Sequence, residues 1–539
     1  MQKQLTLSFS FTFFLCLTCL PIVWMFGNSI YEDGSFSFDY YRDILFTGRY
    51  VKIIANSLIL ASITTMLSAL MGVSAGFFLA KTNLPLKSFF KICFFIPLII
   101  PSYTIGIAWV NLLGKSGFLN TQLAHYLHLS SETISDFIYS TYGAAFILSI
   151  NLFPVIMLVT EYSLKNLSPR FEESGLVTGS SFHVLRRITL PLITPAIISG
   201  IMIVFVLSLS EFGIPSLLQI NVLTTQIFTQ FSAFYNEKAA TAIAFPLIVI
   251  TIIIIIFEYI YLHGKSFEIL GRKPARNSIQ YHNKWLLVGG TIFFTFVLFI
   301  CVFIPLLTLI LNIRTLTSFH DAFLLAKKGI INSIQFSSIG ATFLTFAGFL
   351  LGYLSEKVQF KLKNSTSTFI WIFFAVPATV IGIGLIKLYN RPGMFFQNVY
   401  GSLWIIIIGY MARFLPLSTR IQTNYLKQIP YSLEEAGSTT GATWFQVLGK
   451  IVFPLQFNGI IATWLICFIF CIGELGTTIL VYPPGHETLP ITLFTIMANS
   501  PDDIVSALSI IIVFMTLLPL GIFLSISRYI TRITISVTS

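Results

Sequence analysis

Two carboxylates sit in matched positions within apolar stretches of this sequence: Glu211, followed by Phe212-Gly213, and Glu474, followed by Leu475-Gly476. They lie 38 and 39 residues after Glu173 and Glu435. Ionisable groups inside membrane spans are costly and mark function by default, and two carboxylates meeting at a common axis would offer hard oxygen ligands to a cation such as Fe(III). The competing reading puts both at the outer ends of their helices, bonded to freed backbone groups or facing water. Arg413 and Arg420 share a later span whose counterpart carries Asn151 and Leu158. An unmatched arginine there would bind an anion or pair with a helix-terminal carbonyl. Glu161 and Glu258, near span ends, read as snorkelling acids.

Other chemistry has little to work with. The histidines, His125, His128, His183, His263, His282, His320 and His486, fall in loops or at span ends, which argues against a haem held by imidazoles within the membrane. Cys16, Cys19, Cys93, Cys301, Cys467 and Cys471 lie in apolar runs and read as small buried hydrophobes. No Gly-rich loop ending in lysine is present to cradle a phosphate. The sequence thus assigns no catalytic residue, metal site or cofactor, and any ATP hydrolysis must be done by another chain.

The strongest pattern lies outside the spans and occurs twice. Glu172-Glu173-Ser174-Gly175, Gly179 and Ile188-Thr189-Leu190-Pro191 match Glu434-Glu435-Ala436-Gly437, Gly441 and Ile451-Val452-Phe453-Pro454. Pro169 and Pro430 suit the first helical turn, the acids complement its dipole, and Gly179 and Gly441 suit its end. A short amphipathic stretch follows and is expected to break at Pro191 and Pro454, giving helix, turn, short helix, break. The first copy is one residue shorter between glycine and proline, which would tilt its helix. Because these polar loops keep matching chemistry while the loops on the other side barely align, they read as docking surfaces.

The elements carrying these loops must be membrane helices. The sequence is 55% hydrophobic and 10% charged with a mean hydropathy of +0.85, against roughly 25% charged in soluble domains. Spans of about 20 apolar residues are expected near 7–27, 53–80, 92–113, 141–163, 192–218 and 241–262, then 285–311, 333–355, 367–388, 401–424, 456–481 and 505–527. The first reads as an uncleaved helix, since Pro21, Trp24 and Met25 make a poor signal-peptide cleavage site. The net charge of +11 is a matter of topology and gives no reason to expect nucleic acid. With a cytoplasmic amino terminus, roughly two-thirds of the Lys and Arg residues fall on the cytoplasmic side, together with both termini and both repeated loops. A polar linker, 265–284, separates a first half (1–264, loop 164–191) from a second (285–539, loop 425–454). Asn56-Ser57, Gly72 and Ile96-Pro97 align with Asn332-Ser333, Gly348 and Val376-Pro377. An even number of spans per half makes the repeat parallel, with its axis along the membrane normal. The two loops then share one face and call for a two-fold symmetric partner.

The paired loops resemble those of the permease subunits of bacterial ABC importers, in which a Glu-Ala-Ala segment, a glycine four residues on and a later Leu-Pro engage the ATPase. The second copy keeps that spacing, with Gly437 for the last alanine and Phe453 for leucine; the first has Ser174-Gly175 for Ala-Ala. The resemblance implies an all-α integral membrane protein of the type I permease kind, with two parallel-repeat bundles of about six helices each, in the bacterial cytoplasmic (inner) membrane. It assigns Glu172, Glu173, Gly175, Gly179, Pro191, Glu434, Glu435, Ala436, Gly437, Gly441 and Pro454 to coupling with two copies of an ATPase subunit, which would bind the ATP. It also implies an extracytoplasmic substrate-binding protein. Within the family, Tyr482 to Pro490 and Thr224 to Phe228 look like loops of the ferric-iron branch, whose relatives carry thiamine and phosphonates, with polyamine permeases further off. Pro483, Pro484 and Gly485 are then expected to meet the binding protein, and Glu211, Glu474 and Arg413 to line the substrate path. The rival from another class is a secondary transporter driven by an ion gradient, which needs no docking loops.

Overall fold

The computed structural model describes residues 2–538 except 33–34, 128–129, 178, 263–279, 282, 358–369 and 371–372. Apart from a hairpin pairing Tyr31–Glu32 with Ser35–Phe36 and an isolated bridge between Thr82 and Tyr281, the regular structure is helical, and the helices that build the core and the repeated loops are numbered in chain order. In the first half they are α1 (Ser8–Ile30), α2 (Gly48–Lys81), α3 (Lys87–Ile99), α4 (Ser102–Leu113), α5 (Thr141–Asn166), α6 (Pro169–Leu176), α7 (Leu190–Leu209), α8 (Gly213–Leu217), α9 (Leu223–Ser232) and α10 (Glu237–Leu262). The second half repeats the plan with α11 (Lys284–Leu311), α12 (Leu316–Lys357), α13 (Ala378–Tyr389), α14 (Leu403–Leu426), α15 (Tyr431–Thr439), α16 (Phe453–Ile472), α17 (Thr478–Val481), α18 (Leu489–Ile496) and α19 (Asp502–Thr538).

Ten described helices are long and apolar enough to cross a membrane. The expected third span is broken: α3 and the helical run starting at α4 meet at 96°, because Pro101 cannot continue the α3 hydrogen bonds. The carbonyls freed at the break, of Pro97 and Ile100, accept from Asn151 Nδ2 at 2.6 and 3.0 Å. The chain still crosses here. Residues 64, 68 and 72 of α2 meet residues 145, 149 and 153 of α5 in ascending order, so these helices are parallel and the segment between them must return through the bilayer. The same holds for α12 and α14, where Gly348 meets Ser418 and Gly352 meets Gln422. There the ninth expected span is described only in part, mainly by a 3-10 turn, Phe373–Ala375, and α13; residues 367–369 and 371–372 and most of the linker lie outside the described residues.

Small residues set these helix pairs. A β-carbon on Gly72 would stand 2.7 Å from the Phe153 carbonyl oxygen, and one on Gly348 2.1 Å from Ser418 Oγ, so each matched glycine lets two backbones close up. The halves also exchange their first spans. Phe14 and Leu17 of α1 pack in the core of the second half, and Phe294 of α11 stacks edge-on against Phe94 at 4.9 Å in the first.

Four prolines follow one rule. Pro21, Pro191, Pro305 and Pro454 each come two residues after a π-helical turn, at Leu15–Cys19, Leu185–Thr189, Phe299–Phe303 and Leu448–Val452. A proline ring crowds the carbonyl four residues back, here the middle residue of each π turn, and the wider turn makes room for it. Pro191 and Pro454 therefore do not break the chain as the sequence suggests. The second, shorter helix of each repeated loop, Ser181–Val184 or Trp444–Val447, runs on through its π turn into the next membrane span.

Candidate functional site

Each repeated loop folds as a short helix lying across the end of a long one. In α6 and α15 the two consecutive acids separate by face: Glu172 and Glu434 are buried, Glu173 and Glu435 exposed. The buried acid of each pair meets a lysine from the last turn of the long helix beside it. Lys81 Nζ lies 2.7 Å from Glu172 Oε2, and Lys357 Nζ 3.2 Å from Glu434 Oε1. A hydroxyl supplies the second contact, Thr189 to Glu172 at 2.9 Å and Tyr353 to Glu434 at 2.6 Å. Buried charges need this pairing, since an isolated ion cannot be taken out of water at tolerable cost. The sequence reading missed Lys81 and Lys357, although each ends a long apolar run 24 residues after a matched serine, Ser57 or Ser333.

The two loops pack alike. A β-carbon on Gly175 would stand 2.4 Å from Ile188 Cδ1 and 3.0 Å from Val184, and one on Gly437 2.7 Å from Ile451 Cδ1 and 3.1 Å from Val447. Glycine lets α6 and α15 close onto the following segment, where a β-carbon would have to push the tip of Ile188 or Ile451 aside. The extra residue of the second copy, Ala442, sits in the turn, where Gly441 takes φ +83°. From the N-caps, Ser180 and Thr443, both segments run eleven residues to their prolines, so the shorter first loop tilts nothing within the helix. Around Glu173 the surface exposes Phe171, Val177 and Phe182, and around Glu435 it exposes Ala436, Tyr431, Leu433 and Phe445. The first loop has one feature of its own: Tyr281, near the end of the linker, donates its N–H to the Lys81 carbonyl at 2.8 Å and its hydroxyl to that of Ser181 at 3.2 Å. Burial, with Glu172 nearby, pushes this phenol up to about 12, so it stays protonated and able to donate.

The intramembrane acids gather where the halves meet. Glu211 Oε1 accepts from Ser102 Oγ at 2.7 Å and from the Gly213 N–H at 3.1 Å, capping α8. Glu474 accepts the N–H groups of Thr477 and Thr478 at 2.7 and 3.0 Å, capping α17. Pro101, next to Ser102, abuts Gly473, next to Glu474, at 3.1 Å from the β-carbon position. Arg413 Nη1 lies 3.3 Å from Glu474 Oε1; its partner is a carboxylate and not the helix-terminal carbonyl expected. Among the described residues no basic side chain forms an ion pair with Glu211, which stays half-buried. Glu161 does not snorkel: it is buried between Lys91 and Lys165 at 2.8 and 2.6 Å. These three residues, Ser199 and Arg420 of the other half line a cavity of about 610 Å³, and Arg420 lies within electrostatic reach of Glu258. Cross-half contacts thus join the ends that carry the repeated loops, while Asn111 bonds Ser506 at 3.1 Å at the opposite ends. Both repeated loops consequently lie on one face, as a parallel repeat requires.

On that opposite face Pro484 is exposed, Pro483 buried and Gly485 half-buried. Gly485 takes φ +83° and donates its N–H to Glu487 Oε1 at 3.0 Å. The matched Asn-Ser pairs hold these loops. Asn332 Nδ2 reaches the Glu487 carbonyl at 2.9 Å and Ser333 Oγ accepts from Leu489 N–H at 2.7 Å; Asn56 reaches the Asn221 carbonyl at 3.2 Å and Ser57 accepts from Leu223 N–H at 2.8 Å.

Two copies of one family model, the binding-protein-dependent transport system inner membrane component, match residues 71–263 and 345–532. The chain belongs to this family. It is the permease component of a binding-protein-dependent importer, a multi-pass membrane protein whose work is transport. Similar proteins include the putative ferric transport system permease protein FbpB 1 of Haemophilus influenzae, 26% identical over 81% of this chain and 71% of that protein. The ferric transport system permease protein FbpB of Actinobacillus pleuropneumoniae is 25% identical over 81% and 65%. The Fe(3+)-transport system permease protein FbpB 2 of H. influenzae is 23% identical over 90% of this permease and 92% of its own length.

Proposed function

We propose that this permease imports ferric iron, driven by two copies of a separate ATPase subunit gripping α6 and α15 at the cytoplasmic face and fed by a substrate-binding protein outside. Both termini then lie in the cytoplasm. The observation that carries the coupling is the pair of matched loops, each anchored by one buried acid while the second acid stands among exposed apolar side chains that only a partner would cover. ATP binding and hydrolysis shift the partner between shapes, and the permease follows through the differential affinity of these surfaces. The chain's own part in ATP chemistry is mechanical.

Iron is favoured by the relatives matched along most of the chain, and by Glu211, whose carboxyl group lies where the halves meet and forms no ion pair with a basic side chain among the described residues. A hard oxygen donor there suits a trivalent cation. Thiamine, phosphonate and polyamine cargoes are the alternatives within the family. The test is uptake of labelled Fe(III) into proteoliposomes holding the full complex and loaded binding protein. ATP-dependent Fe(III) accumulation is expected, and accumulation of thiamine, 2-aminoethylphosphonate or spermidine with no iron would overturn the assignment. Uptake driven by an ion gradient without ATPase would favour a secondary transporter.

A further inference from the structure

The two long helices α2 and α12 share three features. Each is tied on its outer side, some turns in from its first residue, by a serine that accepts the first N–H of a loop helix, Ser57 to Leu223 and Ser333 to Leu489. Each is tied at its inner end by a buried lysine to the anchoring acid of a coupling helix, Lys81 to Glu172 and Lys357 to Glu434. Serine and lysine stand 24 residues apart in both, about 36 Å along a helix, enough to cross the hydrocarbon core of about 30 Å.

The third feature is stiffness. Of the ten described membrane-length helices, α2 and α12 alone contain no proline. Those of α1, α5, α7, α10, α11, α14, α16 and α19 each contain at least one, and proline removes a helical hydrogen bond and permits bending. A kinked helix absorbs an end-to-end push; an unbroken one passes it on.

From this we infer that α2 and α12 are transmission rods, which carry the arrival of a loaded binding protein at the outer loops directly to the coupling helices and so to the ATPase. The inference rests on the importer reading above and adds the route of the signal. Asn56, Ser57, Asn332 and Ser333 are its outer positioning residues, Lys81 and Lys357 its inner ones. The loops fixed by the serines expose Gln219 and Asn221 beside α2 and Pro484 beside α12, and the helices fixed by the lysines carry the exposed Glu173 and Glu435, so each rod joins an outer surface to an inner one.

The test uses the full complex in proteoliposomes and compares ATPase activity with and without saturating loaded binding protein. Ser57→Ala with Ser333→Ala is expected to leave ATPase co-purification and basal hydrolysis unchanged while stimulation by the binding protein falls at least fivefold. Ser57→Thr with Ser333→Thr, which keeps both hydroxyls, is expected to restore it; a loss through misfolding would lower basal activity as well. At the inner end, exchanging charges by Lys357→Glu with Glu434→Lys is expected to preserve more stimulation than Lys357→Glu alone. Full stimulation in the alanine variant overturns the rods and leaves the importer reading intact. A wild-type complex that no binding protein stimulates removes both.

Discussion

At the scale of single residues, the two adjacent acids of each repeated loop do different work, and burial separates them. Glu434 faces inward to Lys357 and Tyr353, whereas Glu435, one residue on, faces out. Removing one member of a buried ion pair strands the other and costs about 3–5 kcal/mol. Glu434→Gln leaves the Lys357 ammonium with the Ile429 carbonyl at 2.5 Å, so we expect a clearly lower melting midpoint in detergent, and Glu435→Gln should leave it unchanged. Equal midpoints for the two variants would contradict the division. The sequence shows that both acids matter and not which does what, because helix-dipole logic treats neighbouring first-turn acids alike. The lysines were legible only as the ends of apolar runs. Arg413 was legible as a residue needing a partner, but its partner, Glu474, lies 61 positions away in the chain.

At the scale of elements, the sequence locates the membrane helices well and their interruptions poorly. Hydropathy averages over a window, so it reports one span where Pro101 splits α3 from α4, and it cannot show Asn151 closing that break. Proline likewise reads as a stop. At Pro191 and Pro454 the chain instead widens into a π turn and continues, which makes the second segment of each repeated loop the leading end of a membrane helix. The outer loop before α18 has a dependence of its own. Partial burial alone would raise the Glu487 carboxyl, but the N–H groups of Glu487 and Gly485, with Lys328 and His486 near, together hold it below the ordinary carboxylate value of 4.5. A depressed folded value contributes stability that is present above the unfolded one and is lost as pH falls through the folded one. The affinity of the reconstituted permease for its binding protein is therefore expected to hold from neutral pH down to about 4.5 and to weaken below, and Glu487→Gln should weaken it at neutral pH. Weakening of the wild type already near neutrality would count against this loop geometry.

At the scale of the whole molecule, the doubling of the chain governs everything else. The repeat was legible from matched spacings, and parallel orientation followed from the even number of spans; the bent α3–α4 segment preserves that parity by crossing as one unit. The exchange of α1 and α11 between halves was not legible, since apolar composition does not say which bundle a helix joins. That exchange puts the first span of each half against the core of the other. The two repeated loops, which we propose as the ATPase-gripping surfaces, ride on this assembly as a pair. Their claim is tested most directly by counting ATPase subunits on the purified permease by native mass spectrometry, for the wild type and for Glu173→Lys with Glu435→Lys. Two ATPase copies on the wild type and none on the variant, with the permease itself intact, is the expected result; two copies retained on the variant would contradict it.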